Sequence, residues 1–254
     1  MLVDNKTAGD SQIPNLVELG YDYVELPLAQ MMDLSDQDFS KLHLNTKDIS
    51  VEACNNFFPA TLRLTGPEVQ MTRILEYVKK ATWRAATLGA KIIVLGSSGA
   101  KNIPENFPYE KAKEQFITLL HALQDIVAPL GITIVLEPLN KIESNFINNL
   151  TEGLEIMHQV NRSHIKILAD YYHMRMETES LSAIAKAGSD LRHVHIAAKS
   201  GRVFPKANDG EDYPAFFQAL KDIGYQGRVS VEAITNDILA DGAASATLLR
   251  PLMK

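Results

Sequence analysis

The chain has 254 residues, a formal net charge of −6 and a single cysteine, Cys54. The acidic balance and the lack of a lysine and arginine cluster argue against a nucleic-acid surface, which needs local positive charge. One cysteine excludes an internal disulfide framework, and the lack of a long apolar stretch or leader-like segment predicts a cytoplasmic protein without a membrane segment.

Short β-branched runs alternate with longer amphipathic stretches along the chain, which is typical of repeated βα units around a parallel sheet. Helices are predicted over 13–20, 68–89 and 109–130, the second of them starting after Pro67 and stopping at Gly89. No linker divides the sequence, so residues 1–254 are expected to form one domain. Seven runs predict strands: 23–26, 49–55, 91–97, 133–139, 165–171, 192–198 and 228–233.

The predicted strands are one too few for a closed barrel, and the deficit lies at the start of the chain. Before the first predicted helix, only the short apolar run MLV (1–3) could belong to a strand. The sequence therefore predicts a TIM (β/α)8-type barrel that lacks most of its first strand. Three explanations are open: a mis-assigned start that removed the true first strand, an open barrel, or pairing with another chain. The first is favoured, because natural proteins avoid an exposed parallel edge.

Four of the predicted strands carry a residue of metal-ligand type at or near the carboxyl end, where the active site of a βα barrel lies. Taken singly, each residue is explained as a solvated strand end. Together they mix carboxylate oxygens with one imidazole nitrogen, which suits Mn²⁺, Mg²⁺ or Co²⁺ better than structural zinc. The four residues are Glu137, Asp170, His195 and Glu232.

The motifs around these residues resemble the sugar-isomerase and ketose 3-epimerase family of xylose-isomerase-like barrels, from about residue 20 onward. The resemblance implies that the four strand-end residues bind one divalent metal ion. It also implies that Glu143, His173 and Arg202 hold the hydroxyls or the carbonyl of the substrate. The motifs are EPLNKIE (137–143), ADYYHM (169–174), HVHIA (193–197) and SVEA (230–233).

The chemistry expected of such a site is proton transfer next to a carbonyl. A divalent cation that bridges the carbonyl and the neighbouring hydroxyl acidifies the proton between them. Glu137 and Glu232 are the expected catalytic pair, which removes and returns that proton through an enediolate. Return to the same carbon gives an epimer, and return to the adjacent carbon gives an aldose–ketose isomer. The expected partner is a small sugar or keto-acid, and a homodimer is the expected assembly.

The sequence is also compatible with other functions. The same scaffold suits a hydroxypyruvate isomerase, an inosose-type dehydratase or a sugar-phosphate isomerase, for which the stretch LGSSGAK (95–101) offers a weak phosphate cradle. An endonuclease of related fold would need a histidine-rich zinc cluster and a basic face, which the sequence lacks. An inactive sugar-binding barrel is the remaining alternative. Since strand side chains alternate, His193 and His195 share one side, and His193 could face the barrel mouth or be a buried supporting residue.

Overall fold

The computed structural model describes residues 12–45 and 48–254, and their strands form one parallel sheet. The strands follow one another around the sheet in chain order, from β1 to β7. Each predicted strand is present, most of them shorter than expected at the carboxyl end. The strands are β1 (Tyr23–Pro27), β2 (Ser50–Asn55), β3 (Ile92–Leu95), β4 (Thr133–Leu136), β5 (Ile165–Asp170), β6 (Leu191–Ile196) and β7 (Arg228–Val231).

Helices connect the strands and cover the outer face of the sheet. None of the described helices is both long and apolar enough to cross a membrane. The helices are α1 (Ile13–Glu18), α2 (Leu28–Met32), α3 (Asp36–Asn45), α4 (Met71–Leu88), α5 (Ser98–Lys101), α6 (Tyr109–Val127), α7 (Leu150–Val160), α8 (Tyr171–Met176), α9 (Ser182–Ala187), α10 (Tyr213–Asp222) and α11 (Ile238–Leu249).

The helices pack on the sheet through stripes of apolar residues. In α4, Ile74, Val78, Ala81 and Ala85 recur every three or four positions, so they lie on one face of the helix, and all are buried. The helix begins three residues later than predicted and ends where Gly89 adopts a left-handed backbone with φ 101°. Complete burial of an aliphatic side chain stabilises the fold by about 1.5–3 kcal/mol. Such stripes therefore hold the helical ring to the barrel.

The interior of the barrel is built from residues two positions apart, because alternate side chains of a strand point to the same face. Val94, Val135 and Leu168 form a small apolar cluster separate from the main core between sheet and helices. The residues two positions further along the chain from these three lie at the mouth of the barrel. The residues there are Gly96, Glu137 and Asp170.

The side chains of β6 and β7 that face the interior of the barrel are polar, both beside the apolar cluster and at the mouth. His193 and Ser230 lie at the level of the apolar cluster and are almost completely buried, and His195 and Glu232 follow two positions later. The polar side chains of the interior therefore lie on β7, at one end of the sheet, and on its neighbour β6.

The predicted barrel with one strand too few is confirmed. Within the described residues no strand lies between β1 and β7, which form the two ends of the sheet. Side-chain contacts cross this edge instead, including a 2.6 Å hydrogen bond between the Tyr23 hydroxyl and Ser230 Oγ. The predicted stub at residues 1–3 lies outside the described residues.

Candidate metal centre and active-site cavity

The four predicted ligands converge at the mouth of the barrel. One donor atom from each of Glu137, Asp170, His195 and Glu232 can be chosen so that all four atoms lie within 4.8 Å of one another. The Nδ1 atom of His195 lies 3.1 Å from Glu137 Oε1 and 3.3 Å from Glu232 Oε2. All four side chains are at least nine-tenths buried. We call these four residues the metal quartet.

The position of Glu137 depends on its neighbours on β3 and α5. The backbone N–H of Glu137 donates to the carbonyl of Leu95 at 3.2 Å, which continues the β3–β4 pairing one residue past the end of β4. Its own carbonyl accepts a hydrogen bond of 2.9 Å from the fully buried Lys101 ammonium. A Cβ atom at Gly96 would lie 2.0 Å from Glu137 Oε2, so only glycine leaves room for this carboxylate.

Asp170 is placed by the turn from β5 into α8. It caps the helix, since its Oδ1 accepts a 2.8 Å hydrogen bond from the backbone N–H of Tyr172. Its Oδ2 atom accepts no hydrogen bond from any described residue, although His173 Nε2 lies 3.4 Å away. The ring of His173 is fixed from its other side, where Nδ1 accepts from the backbone N–H of Asn140 at 3.2 Å. A protonated Nε2 of His173 therefore faces the quartet.

Glu232 is held from two sides. The amide of Asn55, the last residue of β2, donates to its Oε1 at 2.9 Å. The guanidinium of Arg202 donates to its Oε2 at 2.5 Å and lies 3.4 Å from both oxygens of Glu143. The same guanidinium stacks over the ring of Tyr172, 4.8 Å from its centroid.

A left-handed turn brings Arg202 over the mouth of the barrel. Gly201 and Arg202 both have positive φ, 74° and 49°. For a residue with a side chain this backbone is unfavourable, and such strain is typical of functional sites. The turn is held by hydrogen bonds that run from Ala198 N to Val203 O at 2.9 Å and from Ile234 N to Arg202 O at 2.8 Å.

Burial and charge act in opposite directions on the quartet. Burial and the neighbouring Glu232 raise the pKa of Glu137, and they raise that of Asp170 to about 6. Burial alone would also raise the pKa of Glu232, but His195 and Arg202 outweigh it and lower the pKa to about 2. Burial would lower the pKa of His195, yet the surrounding carboxylates raise it well above its usual value. The carboxylates of the quartet therefore favour the positively charged form of His195.

This donor set fits a divalent cation. Three carboxylates and one imidazole, each from a different strand, supply oxygen ligands and a single nitrogen ligand. The unpartnered Oδ2 of Asp170 is a buried acceptor without a hydrogen bond from the described residues, and a cation would satisfy it.

A cavity of about 240 Å³ opens beside the quartet. Glu137 and Glu232 line it, whereas Asp170 and His195 lie deeper. Of the predicted substrate-binding residues, Glu143 and Arg202 line the cavity, but His173 lines a separate narrow void behind Asp170. The lining consists of Asn56, Ser97, Ser98, Glu137, Leu139, Glu143, Arg202, Glu232, Ala233 and Ile234.

Three further residues support the quartet and were not predicted from the sequence: Glu25, Asn55 and Gly96. Glu25 is 1% exposed and accepts hydrogen bonds of 2.8 Å from His193 and from His195. Burial would raise its pKa, but the two histidines hold the pKa well below its usual value. A charged residue inside the predicted strand 23–26 was the available signal for Glu25. His193 is a buried supporting residue, which was one of its two predicted positions.

Replacing Gly96 with alanine is expected to weaken Mn²⁺ binding by roughly 10- to 100-fold, the usual cost of disturbing the surroundings of a metal ligand. The new methyl group would overlap Glu137 Oε2 and force the carboxylate to move. Calorimetric titration with Mn²⁺ measures the effect. G99A is the matched control, because its methyl would instead meet Ala60 at 2.6 Å, away from the quartet. Equal losses in both variants would contradict the specific role of Gly96.

Comparison with known proteins identifies the family. The family model described as xylose isomerase-like TIM barrel matches residues 13–251. The chain belongs to that family. The resemblance expected from the four motifs is therefore confirmed.

Relatives with assigned activities align over most of the chain. An L-ribulose 3-epimerase of Methylomonas sp. (strain DH-1) is 29% identical over 244 residues, which cover 93% of this chain and 82% of the relative. A putative hydroxypyruvate isomerase of Xenopus laevis is 27% identical over 78% of this chain and 75% of the relative. A solved D-psicose 3-epimerase from Clostridium cellulolyticum H10 superposes with a TM-score of 0.84 at 22% identity, covering 96% of this chain and 93% of that one.

These matches confirm that the chain is an enzyme with the predicted barrel fold. They support sugar epimerase activity in general terms, and the family's use of a divalent metal agrees with the quartet.

Proposed function

We propose that the protein is a divalent-metal-dependent epimerase of a ketose, in which Glu137 and Glu232 transfer the proton. The observation that carries the proposal is that these two buried carboxylates, from β4 and β7, line one cavity and approach the same nitrogen of His195. A binding protein has no need of paired carboxylates at its ligand. An enzyme that inverts a carbon next to a carbonyl needs two proton carriers, one for each face.

In the proposed reaction, one carboxylate takes the proton from the carbon beside the carbonyl. The electron pair of the broken C–H bond moves into the planar enediolate form of the substrate. The other glutamate, which starts protonated, gives its proton to the opposite face of the same carbon. The two glutamates thereby exchange protonation states, and the reverse reaction runs from the state that results.

The neighbouring residues orient the substrate and the two glutamates. Arg202 fixes Glu232 and Glu143 through hydrogen bonds and can donate to a substrate oxygen. Glu143 lines the cavity and can accept from a substrate hydroxyl, while His173 offers its Nε2–H from the side of Asp170. Leu139 and Ile234 supply apolar surface that limits access of water.

The metal quartet would hold one divalent cation, which supplies the Lewis acidity that stabilises the negative charge developing on the substrate oxygens. Mn²⁺, Mg²⁺ and Co²⁺ all suit the donor set. Holding Glu137 and Glu232 within one buried group also keeps both bases close to the reacting carbon.

A hydroxypyruvate isomerase is the second candidate, because the relative from Xenopus laevis aligns with most of the chain. This reaction also moves a proton beside a carbonyl but returns it to the adjacent carbon. The two candidates therefore share the base chemistry and differ in the product.

Solvent deuterium uptake tests the proposal. The Mn²⁺-loaded protein is incubated in heavy water with a panel of ketoses, ketose phosphates and hydroxypyruvate, and the products are followed by NMR. We expect deuterium at the carbon beside the carbonyl of a ketose, together with the epimer. Exchange with hydroxypyruvate alone would favour the second candidate. No exchange with any compound, in protein shown to hold metal, would refute both and favour a dehydratase or an inactive barrel.

A further inference from the structure

We propose that Glu25 is a positioning residue that orients His195 toward the metal quartet and, through the same carboxylate, closes the edge of the barrel between β1 and β7. The inference rests on the proposed metal-dependent function in one respect, namely that His195 is a metal ligand. Glu25 itself belongs neither to the quartet nor to the residues that line the cavity.

The two ring nitrogens of His195 face different carboxylates. Its Nε2 atom lies 2.8 Å from Glu25 Oε1, while its Nδ1 atom faces Glu137 and Glu232. An ionised carboxylate only accepts hydrogen bonds, so the nitrogen facing Glu25 carries the proton. The Nδ1 atom also lies at hydrogen-bond distance, 3.1 Å, from Glu137 Oε1, so a cation that binds there takes the place of a proton on Nδ1 while the proton on Nε2 stays with Glu25. Glu25 therefore selects the form of His195 whose Nδ1 can bind a cation, and it fixes the plane of the ring.

The other oxygen of Glu25 bonds to residues of β6 and β7. Its Oε2 atom accepts from the Ser230 hydroxyl at 2.5 Å and lies 2.8 Å from His193 Nε2. The Tyr23 hydroxyl adds a contact of 2.6 Å to Ser230 Oγ. These side chains lie on β1, β6 and β7, so they connect both ends of the sheet without a strand between them.

The orientation of His195 and the closure of the edge depend on the same carboxylate. The bonds of Glu25 to β6 and β7 cross the edge where no backbone pairing connects β1 to β7 among the described residues. Any change that separates this edge also releases the ring of His195. Metal affinity and the integrity of the edge are thereby coupled, and such coupling acts equally in both directions.

A second metal ion at Glu25, His193 and His195 is the competing explanation, because these residues also offer three close donor atoms. Each histidine Nε2, however, lies at 2.8 Å from its own oxygen of Glu25, which is a hydrogen-bond distance. The Ser230 hydroxyl occupies the remaining side of that carboxylate. Hydrogen bonding therefore accounts for the arrangement, and the number of bound ions separates the two explanations.

The test compares Mn²⁺ binding by E25Q and Y23F with that of the wild type, using calorimetry. Glutamine keeps the size of the side chain but cannot accept from both histidines. Y23F is the matched control, because it removes one contact to Ser230 while the bonds of Glu25 still close the edge and orient His195. We expect E25Q to bind Mn²⁺ roughly 10- to 100-fold more weakly and Y23F to bind like the wild type. We expect one ion per wild-type chain.

NMR of ¹⁵N-labelled wild-type protein loaded with Zn²⁺, a diamagnetic probe, provides a second measurement that does not depend on a variant. We expect His195 to carry its proton on Nε2 and none on Nδ1. A proton on Nδ1, or equal affinity of E25Q and wild type, would overturn the inference while leaving the proposed function intact. Two ions per chain would replace it with a second metal site. A wild-type protein that binds no Mn²⁺ would overturn both the inference and the proposed function.

Discussion

Replacing Glu137 or Glu232 with glutamine is expected to lower the turnover number by roughly 10²- to 10⁴-fold, the usual contribution of a positioned acid or base. Glutamine has nearly the same shape as glutamate, yet it neither takes up nor releases a proton at neutral pH. Each variant should unfold cooperatively, since the change removes one charge from a group of buried carboxylates. The turnover number is measured at saturating substrate and Mn²⁺, with metal content determined for each variant.

The two glutamates can also be distinguished from each other. In a single variant the remaining glutamate can still remove a proton from its own face and return solvent deuterium there. We therefore expect E137Q and E232Q each to exchange only one of the two epimers, and each a different one, without forming the other epimer. Exchange of both epimers by one variant would contradict the assignment of one base to each face.

E143Q is the control for a general disturbance of the cavity. Glu143 lines the cavity and contacts Arg202, but it lies outside the metal quartet. We expect this variant to raise KM more than it lowers the turnover number, because it loses a contact to substrate and keeps both bases. Full activity in E137Q or E232Q would end their assignment as the catalytic pair.

The metal quartet was predictable from the sequence because of two regular properties of the fold. The carboxyl ends of parallel strands meet at one end of the barrel, so residues far apart along the chain meet when each follows a strand. The alternation of side chains along a strand then determines which residue faces inward. These two rules bring together Glu137, Asp170, His195 and Glu232 without any knowledge of the loops.

The supporting residues were not predictable by these rules. Asn55 and Glu232 are separated by 177 positions, and nothing in the strand pattern indicates that the Asn55 amide meets this carboxylate. The role of Gly96 depends on the distance between the ends of β3 and β4, which only the three-dimensional structure provides. In the sequence, Gly96 lies near the end of the predicted strand 91–97, and nothing there indicates its contact with Glu137.

Arg202 and His173 lie differently with respect to the cavity. Both were predicted to hold the substrate, but only Arg202 lines the cavity. Arg202 reaches it through two successive residues with positive φ; the glycine at position 201 indicates a turn, but not that the turn brings Arg202 to the cavity. His173 faces Asp170 instead, so its contact with substrate remains a prediction.

Removing divalent metal with a chelator is expected to abolish turnover and to lower the melting temperature. A ligand present at 100 times its dissociation constant stabilises the folded state by about 2.7 kcal/mol. For a chain of this size, that free energy corresponds to a shift of roughly 5–10 °C. Adding Mn²⁺, Mg²⁺ or Co²⁺ back should restore both properties, and the metal that restores turnover best at equal occupancy identifies the preferred ion. Unchanged turnover and melting temperature after complete chelation would refute the metal site.

D170N separates the effect of metal from the effect of charge. Burial and Glu232 raise the pKa of Asp170 to about 6, so ionising this carboxyl destabilises the folded state when no cation is present. The metal-free wild type should therefore lose stability as the pH rises from about 4 to about 6, and D170N should lose less, since it lacks the contribution of Asp170 and keeps that of Glu137, whose pKa is also raised. Above this range we expect metal-free D170N to melt at or above the temperature of the metal-free wild type. Mn²⁺ should raise the melting temperature of the wild type alone, because the same carboxylate that weakens the empty fold is needed to bind the ion.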